Sequence, residues 1–385
     1  MKVLVTNCTR HAGLAAMRSL ARAGCEVFGA DDRCLPLGLR SRFAAGGYEK
    51  LPQEDDPALG AAIDELLERT RPDVLIPFRC SEFASRHGRE LLQRTHALLP
   101  DPAAYARLND KSELLELCSQ LGVPAPRRFS VDEAVERLRR DAALPIVVKP
   151  CRDVGGGEGV SFIVDPGRLA DAAAQVAAAY GKALVTDYIP GPTSHLRAVQ
   201  LLFDDDSRLI AYFIVQKQRL WPRGSGAAVA GTSTHETALV RQILPIFKAL
   251  RWRGPADAEL KFDARDGQAK LLEINPRFSG IVHFPIACGV NFPLLYARAA
   301  LGQRLAEDLE PRYAAGVHYL TRARWIRSLA AELREQSENR LPLLVQAFRR
   351  EWRGPRVSSI HEPLDPAPTL GRVLLAARRQ RRAPR

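Results

Sequence analysis

The sequence lacks the features that mark several large classes of protein. No apolar run in its 385 residues approaches the roughly 18 to 20 residues that a membrane-spanning helix needs. The first residues hold one lysine and a short apolar run before Thr6, which predicts no secretory signal. The seven cysteines include no C-x-x-C pair. They are therefore expected to be reduced thiols of a cytoplasmic protein, and they indicate neither a disulfide framework nor a zinc site.

Aromatic residues are also scarce, and this bears on the high positive charge. The net charge is +12, but ten arginines and three acids lie between residues 349 and 385, so the rest of the chain carries only about +5. Aromatic residues make up 7% of the chain and are not interleaved with the basic ones, which argues against a stacking platform for single strands. A solvated arginine-rich end is the simpler interpretation, and we expect neither a nucleic-acid nor a membrane partner.

The first hundred residues show the apolar pattern of an open α/β sheet. The pattern predicts a strand at 2–6, a helix at 11–23, a strand at 25–31 and a further strand at 73–77. Residues 7–13 lack the glycine fingerprint of dinucleotide-binding folds, so no dinucleotide is expected there. Arg79 and Glu82 follow the last of these strands and are candidates to line a substrate cleft, with ordinary loop charges as the alternative.

Two acidic residues lie in adjacent predicted strands late in the chain. Residues 256–263 and 269–274 alternate polar and apolar side chains and are separated by Ala264-Arg-Asp-Gly267, the composition of a hairpin turn. Glu259 and Glu273 are then expected side by side on one face. Because like charges repel, this arrangement indicates a cation, and Mg²⁺ binds carboxylates together with substrate phosphates. An ordinary surface hairpin with two solvated acids is the alternative.

The residues after Glu273 extend this set. Asn275 adds a neutral oxygen on the same strand face. Arg277 adds a planar guanidinium group that suits a phosphate or a carboxylate. Pro276 and Gly280 require a defined turn after the strand, which favours a built site over a plain hairpin.

The stretch E-I-N-P-R-F-S-G at residues 273–280 resembles the signature of ATP-grasp enzymes in the biotin carboxylase and carbamoyl-phosphate synthase branch. The resemblance covers about residues 1–302. It implies that ATP is bound, and that Glu259, Glu273 and Asn275 bind Mg²⁺ or Mn²⁺. It further implies that Arg277 is catalytic and holds the transferred phosphoryl group or the carboxylate oxygens.

The resemblance continues upstream, at positions that contact the nucleotide in this family. A lysine follows Asn109-Asp110 at the start of a predicted helix, and another ends the predicted strand at 146–148. The glycines after Val154 leave backbone N–H groups free to face an anion, although a mobile connection is the alternative. The implied phosphate-binding residues are Lys111, Lys149, Gly155, Gly156 and Gly157, and the implied adenine-binding hinge is Thr186, Asp187, Tyr188 and Ile189.

One position departs from the family pattern. Thr193 stands where members commonly carry a glutamate for the ribose hydroxyls, which leaves the ribose to Asp187 or to a backbone group. Lys217 and Arg219 are predicted on one strand face, where relatives often place basic residues near the triphosphate or the acyl phosphate. We expect Lys217 to be catalytic, with a solvated charged strand as the alternative. Residues 221–234 are rich in small residues and predict a second mobile loop over the site.

The fold expected from the resemblance is α/β. An open parallel α/β domain would precede an ATP-grasp fold of two α+β subdomains and a mostly helical C-terminal extension. The expected boundaries are 1–102 for the N-terminal domain, 103–190 for the first or lid subdomain, 191–305 for the second subdomain with the metal site, and 306–385 for the extension with its basic tail.

The expected activity is that of a carboxylate–amine ligase. In this family ATP phosphorylates a small-molecule carboxylate, and an amine then attacks the acyl phosphate, releasing ADP and phosphate. Two alternatives stay open: a grasp-fold kinase or carboxylase that uses the same nucleotide site, and a noncatalytic ATP-binding regulator. Ser279 and His283 are candidate specificity residues, although a histidine is more often packed or solvated. The expected partners are the small-molecule substrates and a second copy of the chain.

Overall fold

The computed structural model describes residues 1–8, 11–31, 37–48, 51–78, 80–141, 143–152, 157–306, 309–335, 340–351, 356–358 and 365–368. Its strands are β1 (Lys2–Thr6), β2 (Glu26–Ala30), β3 (Gly46–Tyr48), β4 (Val74–Ile76), β5 (Ile146–Pro150), β6 (Ser161–Ile163), β7 (Ala183–Asp187), β8 (Leu196–Phe203), β9 (Leu209–Trp221), β10 (Ala227–Thr234), β11 (Gly254–Phe262), β12 (Ala269–Asn275), β13 (His318–Leu320) and β14 (Arg356–Ser358).

The helices lie between and around these strands. They are α1 (His11–Arg22), α2 (Leu59–Thr70), α3 (Ser81–Arg86), α4 (Gly88–Leu91), α5 (Pro102–Asn109), α6 (Lys111–Leu121), α7 (Val131–Arg140), α8 (Leu169–Tyr180), α9 (Thr237–Ala249), α10 (His283–Ala287), α11 (Phe292–Ala300), α12 (Arg322–Glu335) and α13 (Arg340–Glu351). Within the described ranges, none of them is both long enough and apolar enough to cross a membrane.

The N-terminal sheet is parallel, in the order β3-β2-β1-β4, and the predicted βαβ opening is confirmed. Strand β1 is apolar and buried after its first residue, as expected for a parallel strand covered on both faces. Helix α1 buries the apolar stripe formed by Leu14, Met17 and Leu20. The carboxyl ends of β1 and β4 therefore meet at one edge, next to the rest of the chain.

The second sheet is small and antiparallel, in the order β6-β5-β7. Its core side chains Ile146, Val148 and Val185 are buried against α7 and α8. Ser130 starts α7 with a reciprocal capping box, in which its hydroxyl accepts from the backbone of Glu133 and the Glu133 carboxylate accepts from the backbone of Ser130. The predicted strand that carries Lys149 is thus present.

The third sheet has seven strands in the order β12-β11-β8-β9-β10-β13-β14. Its pairs are antiparallel except for β13 with β14. The predicted acidic hairpin is confirmed as β11 and β12. The central strands β8 and β9 are almost wholly buried because helices and the N-terminal domain cover both faces.

The prediction of a second mobile loop at residues 221–234 is wrong for most of that range. Residues 227–234 form β10, which pairs with β9 on one side and β13 on the other. Small residues suit this position: a Cβ on Gly231 would approach the ring of Tyr319 to 2.7 Å and Val215 to 2.8 Å. Only residues 222–226 connect the two strands. In addition, β13 and β14 join this sheet from a region expected to be mainly helical.

The N-terminal domain packs directly on the segment that follows β12. The ring of Phe78 stacks on that of Phe278 with centroids 4.8 Å apart. The backbone N–H of Leu98 donates to the Tyr296 hydroxyl at 2.9 Å. These apolar and polar contacts place the edge of the parallel sheet beside the turn that carries Arg277, which is how the fold assembles the site.

Candidate active site

A cleft of about 660 Å³ lies between the three-stranded and the seven-stranded sheets, a size that suits a cofactor-sized ligand. It collects residues that are far apart in the sequence. Those of the sequence-derived candidates that line it are Lys111, Lys149, Gly157, Thr186, Asp187, Tyr188, Ile189, Lys217, Glu259, Glu273, Asn275 and Arg277. Gly155 and Gly156 lie outside the described residues, as does Arg79.

The acid pair forms as the alternation of β11 and β12 predicts. Glu259 and Glu273 are directly paired in the register of the two strands and both line the cleft. Each carboxylate has a lysine partner: Lys217 Nζ lies 2.5 Å from Glu259 Oε1, and Lys111 Nζ lies 3.1 Å from Glu273 Oε2. The site therefore holds alternating positive and negative groups, and the two lysines offset the repulsion between the two carboxylates.

Lys111 enters the cleft because it is the first residue of α6. The Asp110 side chain caps this helix by accepting from the backbone of Ser112 and Glu113, and the backbone N–H of Lys111 donates to the Cys151 carbonyl at 2.8 Å. The same junction places the end of β5, and with it Lys149, beside the start of α6. A helix start and a strand end thus deliver two ammonium groups to one place.

Burial and charge act in opposite directions on these groups. Burial lowers the pKa of Lys149 to about 8, although the Glu273 carboxylate favours its charged form. Burial also opposes ionisation of Glu273, but the ammonium groups of Lys111 and Lys149 outweigh it and hold the pKa of that carboxyl below its usual range. The ammonium groups of Lys111 and Lys149 are suited to bind phosphate oxygens, and the adjacent Glu273 carboxylate is suited to bind a metal ion.

Asn275 and Arg277 continue this arrangement past the end of β12. The Asn275 amide donates to Glu273 Oε1 at 3.3 Å, and Arg277 Nη2 donates to Asn275 Oδ1 at 3.2 Å. The backbone N–H of Arg277 returns to the Asn275 carbonyl at 2.8 Å, which makes the tight turn that Pro276 requires. The guanidinium group is consequently aimed at the cleft beside the two acids.

The expectation that Lys217 and Arg219 share one strand face is wrong. The register of β9 with β10 pairs Lys217 with Gly231 and Arg219 with Ala230, so Gln218 is an extra residue in β9. This β-bulge redirects the side chains. Lys217 lines the cleft, whereas Arg219 binds Glu332 and Glu351 of the C-terminal helices.

The predicted hinge lies at the opposite end of the cleft. Thr186, Asp187, Tyr188 and Ile189 all line it. The Tyr188 ring is held by edge contact with Phe162 at 5.7 Å, and Lys261 Nζ lies 4.8 Å from its centre. This part of the cleft is lined by the apolar side chains of Tyr188, Ile189 and Phe162, with Asp187 and Lys261 beside them.

Thr193 and Asp187, the two residues discussed for ribose binding, have different surroundings. Thr193 begins a short 3₁₀ turn (Thr193–His195) and is not among the residues that line the cleft. Asp187 Oδ1 is buried without a hydrogen-bond partner, while its other oxygen lies 3.5 Å from Arg265. Mainly because of burial, the pKa of Asp187 is raised. An orphaned carboxylate oxygen in the cleft fits a ligand hydroxyl.

The connection between β5 and β6 contacts the connection between β9 and β10 at the cleft. Gly157 has φ +77°, a conformation that favours glycine, and a Cβ there would lie 2.1 Å from the Ser225 carbonyl oxygen. Ser225 belongs to the 222–226 connection between β9 and β10. Gly157 of the glycine-rich segment therefore lies against the connection from the other sheet.

Sequence reasoning missed Asp257 and Lys261, which line the cleft with Glu259. Their signal was present: the three residues alternate on β11 and so share a face. Burial, followed by the nearby Glu259 charge, raises the pKa of Asp257 to about 6. Ser279 also lines the cleft, whereas His283 is buried behind it and burial lowers the pKa of its imidazole to about 4.

Comparisons with known proteins agree with this geometry. Residues 180–323 match a family model described as ATP-grasp in the biosynthetic pathway with Ter operon. Over this range the chain is similar to ATP-grasp proteins. The matched range contains the hinge, β9, the acidic hairpin and the arginine turn, and the expected α/β fold class is confirmed.

The chain is similar to two curated ligases. It is 24% identical over 270 residues to D-aspartate ligase of Enterococcus faecium, covering 64% of this chain and 62% of that protein. It is 29% identical over 306 residues to D-alanine–D-alanine ligase of Methylibium petroleiphilum, covering 69% of this chain and 91% of that protein. The chain thus spans less than two thirds of the length of the first of these relatives.

Solved ATP-grasp structures show the same fold at low identity. The biotin carboxylase domain of Hydrogenobacter thermophilus 2-oxoglutarate carboxylase, a domain dimer in complex with MgADP, ADP and bicarbonate, superposes with a TM-score of 0.62 and 18% identity. The match covers 81% of this chain and 71% of that one. At this identity the likeness concerns the fold alone.

The donor set of this chain can accommodate a metal ion only together with phosphate. Among the described residues, no group of three or more His, Cys, Asp or Glu side chains is placed to hold a metal. Two glutamates and one asparagine leave most positions of an octahedral Mg²⁺ to other oxygens, which is the usual way that proteins bind Mg²⁺ with nucleotides. Lys111, Lys149 and Lys217 line the same cleft and would supply positive charge to such phosphates.

Proposed function

We propose that this protein is an ATP-dependent ligase that activates a small-molecule carboxylate as an acyl phosphate and joins it to an amine, releasing ADP and phosphate. The observation that carries the proposal is the facing pair Glu259 and Glu273, each bound to a cleft lysine and placed beside Arg277. Phosphoryl transfer needs positioning and charge neutralisation more than a covalent protein participant, and this cleft supplies both.

The proposed roles follow from position. Lys111 and Lys149, at the start of α6 and the end of β5, would hold phosphate oxygens once these compete for their partner Glu273. The released Glu273, with Glu259 and Asn275, would bind Mg²⁺, which supplies charge neutralisation between the phosphates. The hinge from Thr186 to Ile189 would take the adenine.

Arg277 and Lys217 would act on the transferred group. Hydrogen bonds to Asn275 at 3.2 Å and to the carbonyl of Phe278 at 3.5 Å hold the Arg277 guanidinium group in place. Lys217 reaches the cleft from β9 and forms an ion pair with Glu259. Because Glu259 is a proposed metal ligand, a bound metal ion would compete for it and release the Lys217 ammonium group to contact the substrate. Preorganised donors of this kind stabilise charge that develops during the transfer.

The comparisons support a ligase rather than fixing its substrates. Both curated relatives are named as ligases, one for D-aspartate and one for D-alanine. An amino acid is therefore the substrate class that we propose to test first. We also propose that the chain divides at residues 102, 190 and 305, and that two copies associate, as in the dimeric biotin carboxylase domain.

The test measures carboxylate activation directly. Purified protein would be incubated with ATP, Mg²⁺ and a panel of D- and L-amino acids and dicarboxylic acids, with hydroxylamine to trap an acyl phosphate as a hydroxamate. We expect ADP and hydroxamate in equal amounts from the wild type. Glu273→Gln should lower the rate by about 10²- to 10³-fold, the usual loss for a preorganised electrostatic group. Asp266→Asn, on the turn of the same hairpin, is the matched control and should leave it unchanged.

Other outcomes point to the alternatives. ADP release that depends on bicarbonate would indicate a carboxylase, and a stable phosphorylated product would indicate a kinase. Nucleotide binding without stimulation by any acceptor would indicate a regulator. Undiminished hydroxamate formation by Glu273→Gln, in protein that is shown to be folded, would contradict the proposed site.

A further inference from the structure

Asp257 is a buried acid of the cleft that the proposed nucleotide and metal site does not use. It lies on β11 two residues before Glu259 and is paired in register with Asn275 of β12. Its side chain lines the cleft, yet the residue is only 7% exposed. The hydroxyl of Ser279 hydrogen-bonds to the carboxyl group, while Oδ1 is buried with no partner.

The other acids of this sheet face have cationic partners and Asp257 has none. Glu259 is bound by Lys217, and Glu273 is bound by Lys111. In the part of the chain that the structure describes, no lysine or arginine forms an ion pair with Asp257. The charges of Arg277 and Lys217 act on this carboxyl group, but neither residue forms an ion pair with it. A buried carboxylate without a paired cation is costly, so it is suited to a ligand that brings a positive charge.

Further unsatisfied polar groups lie around Asp257 on the same side of the sheet. Gln200 is its register partner on β8, and Gln200 Nε2 is buried without a partner. The Tyr319 hydroxyl and both ring nitrogens of His283 are likewise buried and unpartnered. The rings of His283 and Tyr319 meet edge to face, with centroids 6.1 Å apart. Buried polar groups in native proteins are normally hydrogen-bonded, so four in one place indicate a compartment that is completed by ligand or water.

The charges of this compartment select the kind of ligand. Asp257 is its only charged member, because buried His283 is neutral and Tyr319 and Gln200 carry no charge. An alkylammonium group is a good match, because it carries one positive charge and up to three N–H donors for the carboxylate and neutral acceptors.

We propose that Asp257, with the Ser279 hydroxyl, binds the ammonium group of the amine-bearing substrate, with Gln200, His283 and Tyr319 forming the polar wall behind it. This inference rests on the proposed ligase function. Two residues of a strand span about 7 Å, so the amine would sit next to the metal ligands Glu259 and Asn275. Asp257 thus acts as a binding residue for the second substrate and plays no part in binding ATP.

The first test separates amine binding from carboxylate activation. Hydroxylamine is uncharged at pH 7.5 and traps the acyl phosphate without needing an ammonium site. For Asp257→Asn we expect hydroxamate formation close to the wild-type rate and a KM for the amine raised about 10- to 100-fold, the loss expected for one hydrogen bond to a charged group. Asp266→Asn, with the same chemical change outside the cleft, should alter neither value.

A second test needs no knowledge of the substrate. Thermal unfolding would be followed with ADP and Mg²⁺ present, in methylammonium chloride or in sodium chloride of equal ionic strength. We expect methylammonium to raise the midpoint of the wild type relative to sodium, and to have no such effect on Asp257→Asn. Because the substitution removes an uncompensated buried charge, the variant should fold at least as stably as the wild type.

The outcomes distinguish the two levels of the proposal. If the wild type forms no hydroxamate with any carboxylate, the ligase function fails, and the methylammonium experiment still judges Asp257. If hydroxamate forms and Asp257→Asn keeps the wild-type KM for the amine, only the role of Asp257 is overturned. An identical response of both proteins to methylammonium would overturn it as well.

Discussion

Lys217 and Arg219 lie two residues apart on β9, and their opposite environments make a matched experiment. Lys217 faces Glu259 in the cleft, whereas the bulge at Gln218 turns Arg219 toward the C-terminal helices. Replacing each with methionine removes one charge and keeps an unbranched apolar chain. The first change should affect catalysis and the second should affect stability.

The magnitudes follow from burial and partners. The Arg219 side chain is 9% exposed and that of Glu351 is 0% exposed, with Nε–Oε2 and Nη2–Oε1 distances of 2.8 and 3.0 Å. Removing one partner of a buried pair costs about 3–5 kcal/mol because the other charge stays buried and alone. That is a large part of a typical folding free energy of about 5–15 kcal/mol. Trp325 also donates to Glu351, so the two helices would loosen together.

For Lys217→Met the balance differs. Its partner Glu259 has a side chain that is 26% exposed, so water can solvate the remaining carboxylate and the stability loss should be smaller. The missing ammonium group would instead leave developing phosphoryl charge without one of its donors. We expect the rate of ATP-dependent hydroxamate formation to fall by about 10²- to 10³-fold.

The assay combines urea unfolding with turnover corrected for the folded fraction. Arg219→Met should lower the urea midpoint and keep the turnover of folded molecules, and Lys217→Met should show the reverse. The double variant Arg219→Met/Glu351→Met should recover part of the lost stability, since neither charge is then buried alone. The reasoning would be refuted if Arg219→Met reduced turnover of folded protein as strongly as Lys217→Met.

Two further predictions concern contacts that close the structure. Gly157→Ala should raise the KM for ATP because the added Cβ would collide with the Ser225 carbonyl. Gly224→Ala is the control: Gly224 also has a positive φ, but a Cβ there meets no atom within 4 Å, so this variant shows the effect of backbone strain alone. Equal KM values for both variants would contradict a role for the contact. Asp365→Asn should destabilise the protein at neutral pH by about 3–5 kcal/mol, because the buried carboxylate accepts from Arg18, Ser41 and the backbone of Arg42. Although burial opposes ionisation, these partners lower the pKa of Asp365. The stability advantage of the wild type over the variant should therefore be present above about pH 4 and disappear as the pH falls further. Thermal unfolding of both proteins at pH 7 and pH 3 measures this difference, and a difference independent of pH would rule out the ionised pair as its cause.

The elements with regular alternation were predictable because their pattern is local. The polar and apolar residues of β11 and β12 alternate on both sides of a turn sequence, which by itself places Glu259 opposite Glu273. The apolar stripe of α1 and the short apolar run of β5 are also local patterns, so both elements could be predicted from the sequence. Strand β10 was not recognisable, since its small residues are typical of a loop, and only β9 and β13 on either side make them a strand.

The sequence by itself determined which chemical groups the cleft contains and in which order the strands deliver them, because side-chain alternation and turn chemistry depend on neighbours in the chain. The tertiary structure alone decided that Lys217 enters the cleft and Arg219 leaves it, since a bulge is defined only against a partner strand. It also decided that Asp257 is buried without an ion-pair partner, beside residues from β8, β13 and α10 that lie far away in sequence. Charge pairing and burial are properties of the assembled sheet, and no local pattern encodes them.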